Sequence, residues 1–81
     1  MDRTDLKKIM QNNRVPSDLY SLNGGFPSES YCLNEVNNNW EVYYSERGVK
    51  SGIVNFDNES EACEYFLKEI GKIVNIADIK N

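Results

Sequence analysis

Two segments rich in turn-forming residues constrain the fold of this chain more than any other feature. Asn37-Asn38-Asn39 and Glu46-Arg47-Gly48 flank an alternating segment, Trp40 to Ser45, in the middle of the sequence. Asn and Gly tolerate the left-handed backbone conformations that tight hairpin turns require. Two successive hairpins that share a strand produce an antiparallel meander. The sequence therefore predicts an antiparallel meander of three to four strands.

The first turn also predicts a strand register. A two-residue turn at Asn37-Asn38 places Leu33 opposite Val42. A three-residue loop would instead place Glu35 directly opposite Glu41, and like charges in that position destabilise a sheet. The two-residue turn is therefore preferred.

The second turn fits a three-residue hairpin loop, in which a type I turn is followed by Gly48 in the left-handed region. This loop pairs Ser45 with Val49 and Trp40 with Val54. Both turns assign the same residues to one apolar face of the sheet, where they are expected to form the core: Tyr31, Leu33, Trp40, Val42, Tyr44, Val54 and Phe56.

The second face of the predicted sheet is of mixed polarity. It carries Cys32, Asn34, Val36, Glu41, Tyr43, Ser45, Val49, Ser51, Ile53 and Asn55. A fully solvated face of an antiparallel sheet should contain fewer apolar side chains. Two interpretations remain open: the N-terminal helix covers this face, or the face is partly open as a surface for a partner.

The segment before the meander predicts a helix and then a turn. Thr4 can cap a helix whose apolar residues Leu6 and Met10 share one face, and the helix should end before Pro16. The double glycine in Asn23-Gly24-Gly25 predicts a tight turn or hairpin.

A second helix is predicted after the meander, with Asn58 as its cap and Glu61 completing a capping box. One apolar stripe follows it: Ala62, Cys63, Phe66, Leu67 and Ile70. Gly71 could end this helix, or the stripe could continue through Ile73, Val74 and Ala77. The predicted fold is one α+β domain over residues 1–81: an N-terminal helix, the meander, and a C-terminal helix packed on one sheet face.

The composition argues against an enzyme. The chain has no histidine, which is the commonest general base and metal ligand at neutral pH. Cys32 and Cys63 lack metal-ligand spacing and are expected to be buried as small hydrophobic residues. We therefore expect neither a catalytic site nor a cofactor. No apolar run is long enough to cross a membrane and the first residues do not resemble a signal peptide, so the expected compartment is the cytoplasm.

Charge is distributed unevenly along the 81 residues, whose net charge is −4. Residues 15–70 contain ten acidic and three basic side chains, a net charge of −7, whereas residues 1–14 carry +2 and residues 71–81 carry +1. An acidic body repels phosphate backbones and attracts basic partners. The charge pattern thus disfavours nucleic-acid binding and is compatible with a basic protein partner or with solubility alone.

The middle of the chain resembles a known class of proteins. "NGGFPSE" at 23–29, "YCL" at 31–33, "WEVYYSERG" at 40–48, Phe56 and "ESEACEYFL" at 59–67 are together similar to small immunity proteins of bacterial polymorphic-toxin and contact-dependent growth-inhibition systems. The resemblance runs from about Leu19 to Leu67. It implies a cytoplasmic antidote that binds one cognate toxin domain, often a nuclease with a basic cleft, and blocks it.

The resemblance implies no catalytic residues, because the shared motifs fall mainly on the predicted core face and turns. Candidate contacts therefore come from side chains predicted to lie outside the core. Tyr and Arg are frequent in interface hot spots. The predicted partner-binding residues are Glu41, Tyr43, Glu46, Arg47 and Ile53. The alternative function is a non-catalytic protein-binding or regulatory module, which could be a homodimer that buries Tyr43 and Ile53.

Overall fold

Two helices and a four-stranded sheet make up residues 1–74, the part of the chain that the computed structural model describes. In chain order these are α1 (Arg3–Asn12), a 3-10 helix (Ser17–Leu19), β1 (Tyr20–Ser21), β2 (Ser30–Val36), β3 (Asn39–Glu46), β4 (Val49–Phe56) and α2 (Glu59–Gly71). The strands lie in the order β1-β2-β3-β4. This confirms the predicted α+β fold, in which one helix precedes the strands in the sequence and one follows them.

The β2–β3 hairpin has the predicted register. Asn37 and Asn38 form a two-residue turn with φ values of +50° and +70°. Left-handed φ at both central positions is the signature of the turn type that matches the twist of antiparallel strands. Leu33 consequently lies opposite Val42.

The predicted register of the β3–β4 hairpin is wrong by one residue near its turn and by two residues farther along the strands. The turn contains two residues, Arg47 and Gly48, with φ values of +52° and +76°, and Glu46 pairs with Val49. The predicted three-residue loop requires a left-handed conformation at the glycine alone. Since Arg47 adopts one as well, the turn is one residue shorter.

A β-bulge in β4 adds a second one-residue shift in the same direction. Tyr44 pairs with Ser51 but Val42 pairs with Val54, so β4 holds one extra residue between these pairs. Gly52 lies within it with a φ of +62°, which a glycine adopts without strain. Beyond the bulge, Trp40 pairs with Phe56 rather than with Val54. Beyond the bulge the two shifts add to two residues, so Val54 and Phe56 keep their predicted face. Between the turn and the bulge the shift is one residue, so Val49 and Ser51 lie on the same face as Tyr44 and not on the second face as predicted.

Strand β1 pairs with β2 in parallel, with Tyr20 beside Tyr31. The double glycine is therefore not the turn of a hairpin. Residues 22–29 instead form a crossover loop that returns the chain to the start of β2. The backbone N–H of Gly24 donates to the carbonyl of Leu33 at 2.9 Å and fixes this loop against the sheet.

Helix α1 is capped by Asp2 and not by Thr4 as predicted. The Asp2 carboxylate accepts from the Asp5 backbone N–H at 2.9 Å, and the Asp5 carboxylate accepts from the Asp2 N–H at 3.3 Å. This reciprocal pair satisfies two backbone donors that a threonine cap would satisfy only in part. The helix ends before Pro16, as predicted.

Helix α2 begins at its predicted cap, since the Asn58 side chain accepts from the Glu61 N–H at 2.9 Å. It ends at Gly71, and the N–H groups of Ile73 and Val74 both donate to the carbonyl of Ile70 at 3.0 Å. The alternative that the helix continues through Ile73 and Val74 is therefore wrong, and Ala77 lies outside the described residues.

Helix α2 packs across one face of the sheet, and α1 packs against α2 on the same side. There they enclose one apolar core of buried residues: Leu6, Met10, Val15, Leu33, Trp40, Val42, Ala62, Cys63, Phe66, Leu67 and Ile70. Helix α1 therefore does not cover the second face, which was one of the two interpretations left open. Trp40 belongs to this core, as its size predicts.

Candidate protein-binding surface

The crossover loop, residues 22–29, covers the part of the second sheet face around Tyr43, whereas Val36 and Ile53 on that face stay exposed. The Tyr43 hydroxyl donates to the carbonyl of Gly25 at 2.7 Å, and only 1% of Tyr43 is exposed. The Lys50 ammonium lies 4.5 Å from the centre of the Tyr43 ring and 5.5 Å from that of Phe26. Tyr43, predicted to contact a partner, is thus covered by the protein's own backbone and is not available on the surface.

Glu41 is likewise engaged within the protein. Its carboxylate accepts from Lys50 Nζ at 2.9 Å and from Asn34 Nδ2 at 3.1 Å, and its side chain is 13% exposed. Burial alone would raise the pKa of Glu41, but the hydrogen bonds and the Lys50 charge outweigh it and lower that pKa. Glu41 holds Lys50 over the Tyr43 ring, so its role is to support the covered face.

The remaining predicted contacts, Glu46, Arg47 and Ile53, are exposed. They lie at the β3–β4 turn and along β4, beside Val49. We define these four residues as the hairpin edge. Val49 and Ile53 are 62% and 47% exposed, so both present apolar area to solvent. Val49 was not among the predicted contacts, although its position directly after a turn at the end of a strand is a signal for exposure.

Strand β4 is an edge strand within residues 1–74, since no described strand lies on its outer side. The outward backbone N–H and C=O groups of such a strand can pair with an added strand. The bulge at Gly52 interrupts that row of groups and limits uncontrolled pairing.

A small open cavity lies beside the hairpin, at the C-terminal half of α2. Its volume is about 160 Å³, and its walls include Tyr31, Tyr44, Tyr65 and Glu69. The rings of Tyr31 and Tyr44 pack edge to face with their centres 5.0 Å apart. The Tyr65 hydroxyl donates to Glu69 Oε1 at 3.2 Å. We call these four residues the tyrosine pocket.

Negative charge surrounds this pocket. Burial raises the pKa of Tyr44, and the nearby carboxylates of Glu29 and Glu46 raise it further. Burial, the Glu69 charge and the hydrogen bond to Glu69 raise the pKa of Tyr65. The tyrosine pocket therefore combines aromatic rings with nearby carboxylates. Sequence reasoning missed it because Tyr65 and Glu69 meet Tyr31 and Tyr44 only through tertiary packing.

Residues 1–74 contain no group of three or more His, Cys, Asp or Glu side chains placed to hold a metal ion. Cys32 and Cys63 are both buried free thiols, as predicted. Among the described helices, none has the length and hydropathy needed to cross a bilayer.

Comparisons with protein-family models, curated proteins and solved structures found no match for this chain.

Proposed function

We propose that this protein is an immunity-type antidote that binds a basic toxin domain, with a nuclease as the expected target, and covers its active site. The distribution of exposed charge supports the proposal. Seven of the ten acidic residues between 15 and 70 are exposed: Asp18, Glu29, Glu35, Glu46, Asp57, Glu61 and Glu64.

The single observation that carries the proposal is that few exposed cations balance these seven carboxylates. Lys50 is drawn to Glu41 beneath the crossover loop, which leaves Arg47 and Lys68 as the exposed cations of this stretch. An acidic surface of this kind speeds encounter with a basic cleft and opposes binding to nucleic acid. Such an antidote would act in the cytoplasm and needs no cofactor.

The hairpin edge supplies the contact residues in this proposal. Val49 and Ile53 offer apolar area, and Glu46 and Arg47 offer charge at the adjacent turn. Interfaces typically combine an apolar centre with a polar rim. Tyr43 is reassigned from contact residue to support for the face beneath the crossover loop.

The proposal is tested by co-expressing the chain with the product of the adjacent upstream gene and measuring growth. The wild-type chain should restore growth and bind the purified toxin domain. Ile53→Asp should weaken binding by about tenfold or more, as expected for a buried interface residue. Val36→Asp is the matched control, since Val36 is a 40% exposed aliphatic residue on β2, away from the free edge. Failure of the wild-type chain to bind or protect would contradict the proposal.

A second candidate function is self-association through β4, favoured by the free edge of this strand and its two exposed aliphatic residues. Light scattering after size exclusion separates the two candidates. A stable dimer that Ile53→Lys converts to monomer supports self-association, because an inserted charge blocks edge-to-edge pairing. A monomer at all concentrations contradicts it.

A further inference from the structure

We infer that the tyrosine pocket receives an arginine side chain of the basic partner, an inference that rests on the proposed function. The size of the pocket is the first argument. Its 160 Å³ corresponds to about five water molecules at liquid density. Pockets for drug-sized ligands are larger, roughly 300–1,000 Å³. The cavity therefore fits the end of one side chain rather than a metabolite or a nucleotide.

The chemistry of the walls selects a cation. Three tyrosine rings line the site, and aromatic faces attract cationic groups. Glu69 provides a carboxylate at the same wall, so a bound cation meets both an aromatic face and a negative charge. A guanidinium is planar, stacks on rings and can donate two parallel hydrogen bonds to a carboxylate, whereas an ammonium acts as a point charge. Arginine is thus the occupant that uses all the groups present.

The protein already places one cation against this carboxylate. Lys72 Nζ lies 2.6 Å from Glu69 Oε2, and the Lys72 side chain is 73% exposed. Exposed ion pairs contribute little, about 0–1 kcal/mol. Lys72 can therefore be displaced by a better-fitting group, and its removal should make the pocket a stronger cation site.

The pocket is continuous with the hairpin edge. Tyr44, Ser51 and Gly52 line it, and all three belong to the β3–β4 hairpin. Glu46, on the hairpin edge, also contributes to the field that raises the pKa of Tyr44. A partner that contacts Glu46 and Val49 therefore reaches the pocket along the same strands.

The test titrates the full-length chain with N-acetyl-L-arginine amide while recording the NMR signals of the tyrosine rings. N-acetyl-L-citrulline amide is the neutral control of nearly equal shape. The arginine probe should shift the signals of Tyr31, Tyr44 and Tyr65 in a saturable manner, and the citrulline probe should not. Equal shifts with both probes, or no saturable shift with arginine, would overturn the inference.

Three variants that alter one charge each sharpen the test. Glu69→Gln should weaken arginine binding and Lys72→Gln should strengthen it, each by about two- to fivefold, the range of a partly exposed ion pair. Glu64→Gln removes the same charge from an exposed position of α2 outside the pocket and should change affinity by less than either. The opposite signs cannot arise from a general loss of structure. Equal effects of Glu69→Gln and Glu64→Gln would count against the pocket as the binding site.

The outcome separates this inference from the proposed function. If the chain neutralises the toxin but Glu69→Gln and Lys72→Gln leave toxin affinity unchanged, the pocket assignment fails and the function stands. If the arginine probe binds as expected but the chain neither binds nor protects against the toxin, the pocket stands as a cation site and its assignment to a toxin fails.

Discussion

The two faces of the sheet are closed in different ways. On one face, α1 and α2 enclose a continuous apolar core that contains Trp40 and Phe66. On the other, the crossover loop lies over Tyr43, and hydrogen bonds with the Tyr43 hydroxyl and the Leu33 carbonyl hold it in place. The helix face depends on buried apolar area, which is the dominant favourable contribution to folding. The loop face depends on a few individually modest interactions.

On the loop face, one buried polar group lacks a hydrogen-bond partner. Ser30 Oγ donates towards the carbonyls of Asp18 at 2.7 Å and Ser28 at 3.1 Å, but Ser45 Oγ is buried without a hydrogen-bond partner in residues 1–74. An unsatisfied buried hydroxyl costs free energy. A small chain can thus commit its limited apolar surface to one core and cover part of the other face with backbone. We expect the helix face to govern global stability and the loop face to govern local opening.

Truncation of a core side chain on the helix face should reduce the free energy of unfolding more than any other change considered. Phe66 is completely buried, so Phe66→Ala should destabilise the fold by about 3–5 kcal/mol. The matched control is Phe26→Ala on the crossover loop, where the side chain is 60% exposed and the expected loss is about 0.5 kcal/mol or less. Urea denaturation followed by circular dichroism measures both. Equal losses for the two phenylalanines would contradict the difference between the faces.

The second prediction concerns the close approach of the crossover loop to the sheet. Gly24 has a φ of +70°, and a Cβ there would overlap the Asn34 side chain, reaching within 2.6 Å of its Cγ. Gly25 has a φ of +85°, and a Cβ there would meet nothing within 4 Å. Gly24→Ala should therefore cost about 2–4 kcal/mol from strain and overlap, and Gly25→Ala about 1–2 kcal/mol from strain alone. Thermal and urea unfolding of both variants measure the difference, and equal costs would show that the overlap relaxes freely.

The core face could be predicted from the sequence because it depends on local signals: the alternation of apolar and polar residues along each strand, and the residue types in the turns. The Asn37-Asn38 turn was recognised from its residue types. The Arg47-Gly48 turn was misjudged, because arginine carries no strong signal for a left-handed conformation. The bulge at Gly52 was also missed, although an isolated glycine inside a strand pattern is a known sign of one.

The candidate surface was predicted less well than the fold. Whether Tyr43 is exposed depends on a loop that is distant in sequence. The alternation of apolar and polar residues along a strand does not show what covers a sheet face. The contact between Gly24 and the sheet could have been suspected, since glycine is used where backbone approaches closely. The tyrosine pocket depends on the packing of α2 across β2 and β3, which no local pattern encodes.

The third prediction concerns local opening of the loop face. Tyr43→Phe removes the hydrogen bond to Gly25 and should cost about 1 kcal/mol. Cys32 has no exposed area and lies beside the Tyr43 side chain that holds the loop, so its alkylation reports on opening. A loss of 1 kcal/mol corresponds to labelling about fivefold faster. Tyr44→Phe is the control, because no hydrogen bond of the Tyr44 hydroxyl is present within residues 1–74. An unchanged rate for Cys32 in Tyr43→Phe would contradict the anchoring role of this bond.

Cys63 provides the comparison on the helix face. Burial, then the charge of Glu59, raises the pKa of Cys63 to about 11, which leaves about 0.1% thiolate at pH 8. Its labelling should require global unfolding, rise steeply with urea and accelerate in Phe66→Ala. Labelling of Cys32 should be insensitive to low urea and to Phe66→Ala. Mass spectrometry of the labelled chain assigns each rate, and parallel behaviour of the two cysteines would show that the loop opens only when the whole protein unfolds.

Loss of the Lys50 contacts with Glu41 and Tyr43 on the loop face should reduce the free energy of unfolding least. Lys50→Gln removes the partner of a nearly buried Glu41 and the cation over the Tyr43 ring, and should cost about 0.5–1 kcal/mol at neutral pH. The lowered pKa of Glu41 means that its ion pair stabilises the fold above 4.5, the ordinary value, and that this stability is lost as pH falls through the lowered pKa. The stability difference between wild type and Lys50→Gln should therefore shrink as the pH falls below 4.5. Denaturation of both proteins across this range measures it. A difference that stays constant in acid would assign the effect of Lys50 to packing against Tyr43 and Phe26 rather than to its charge.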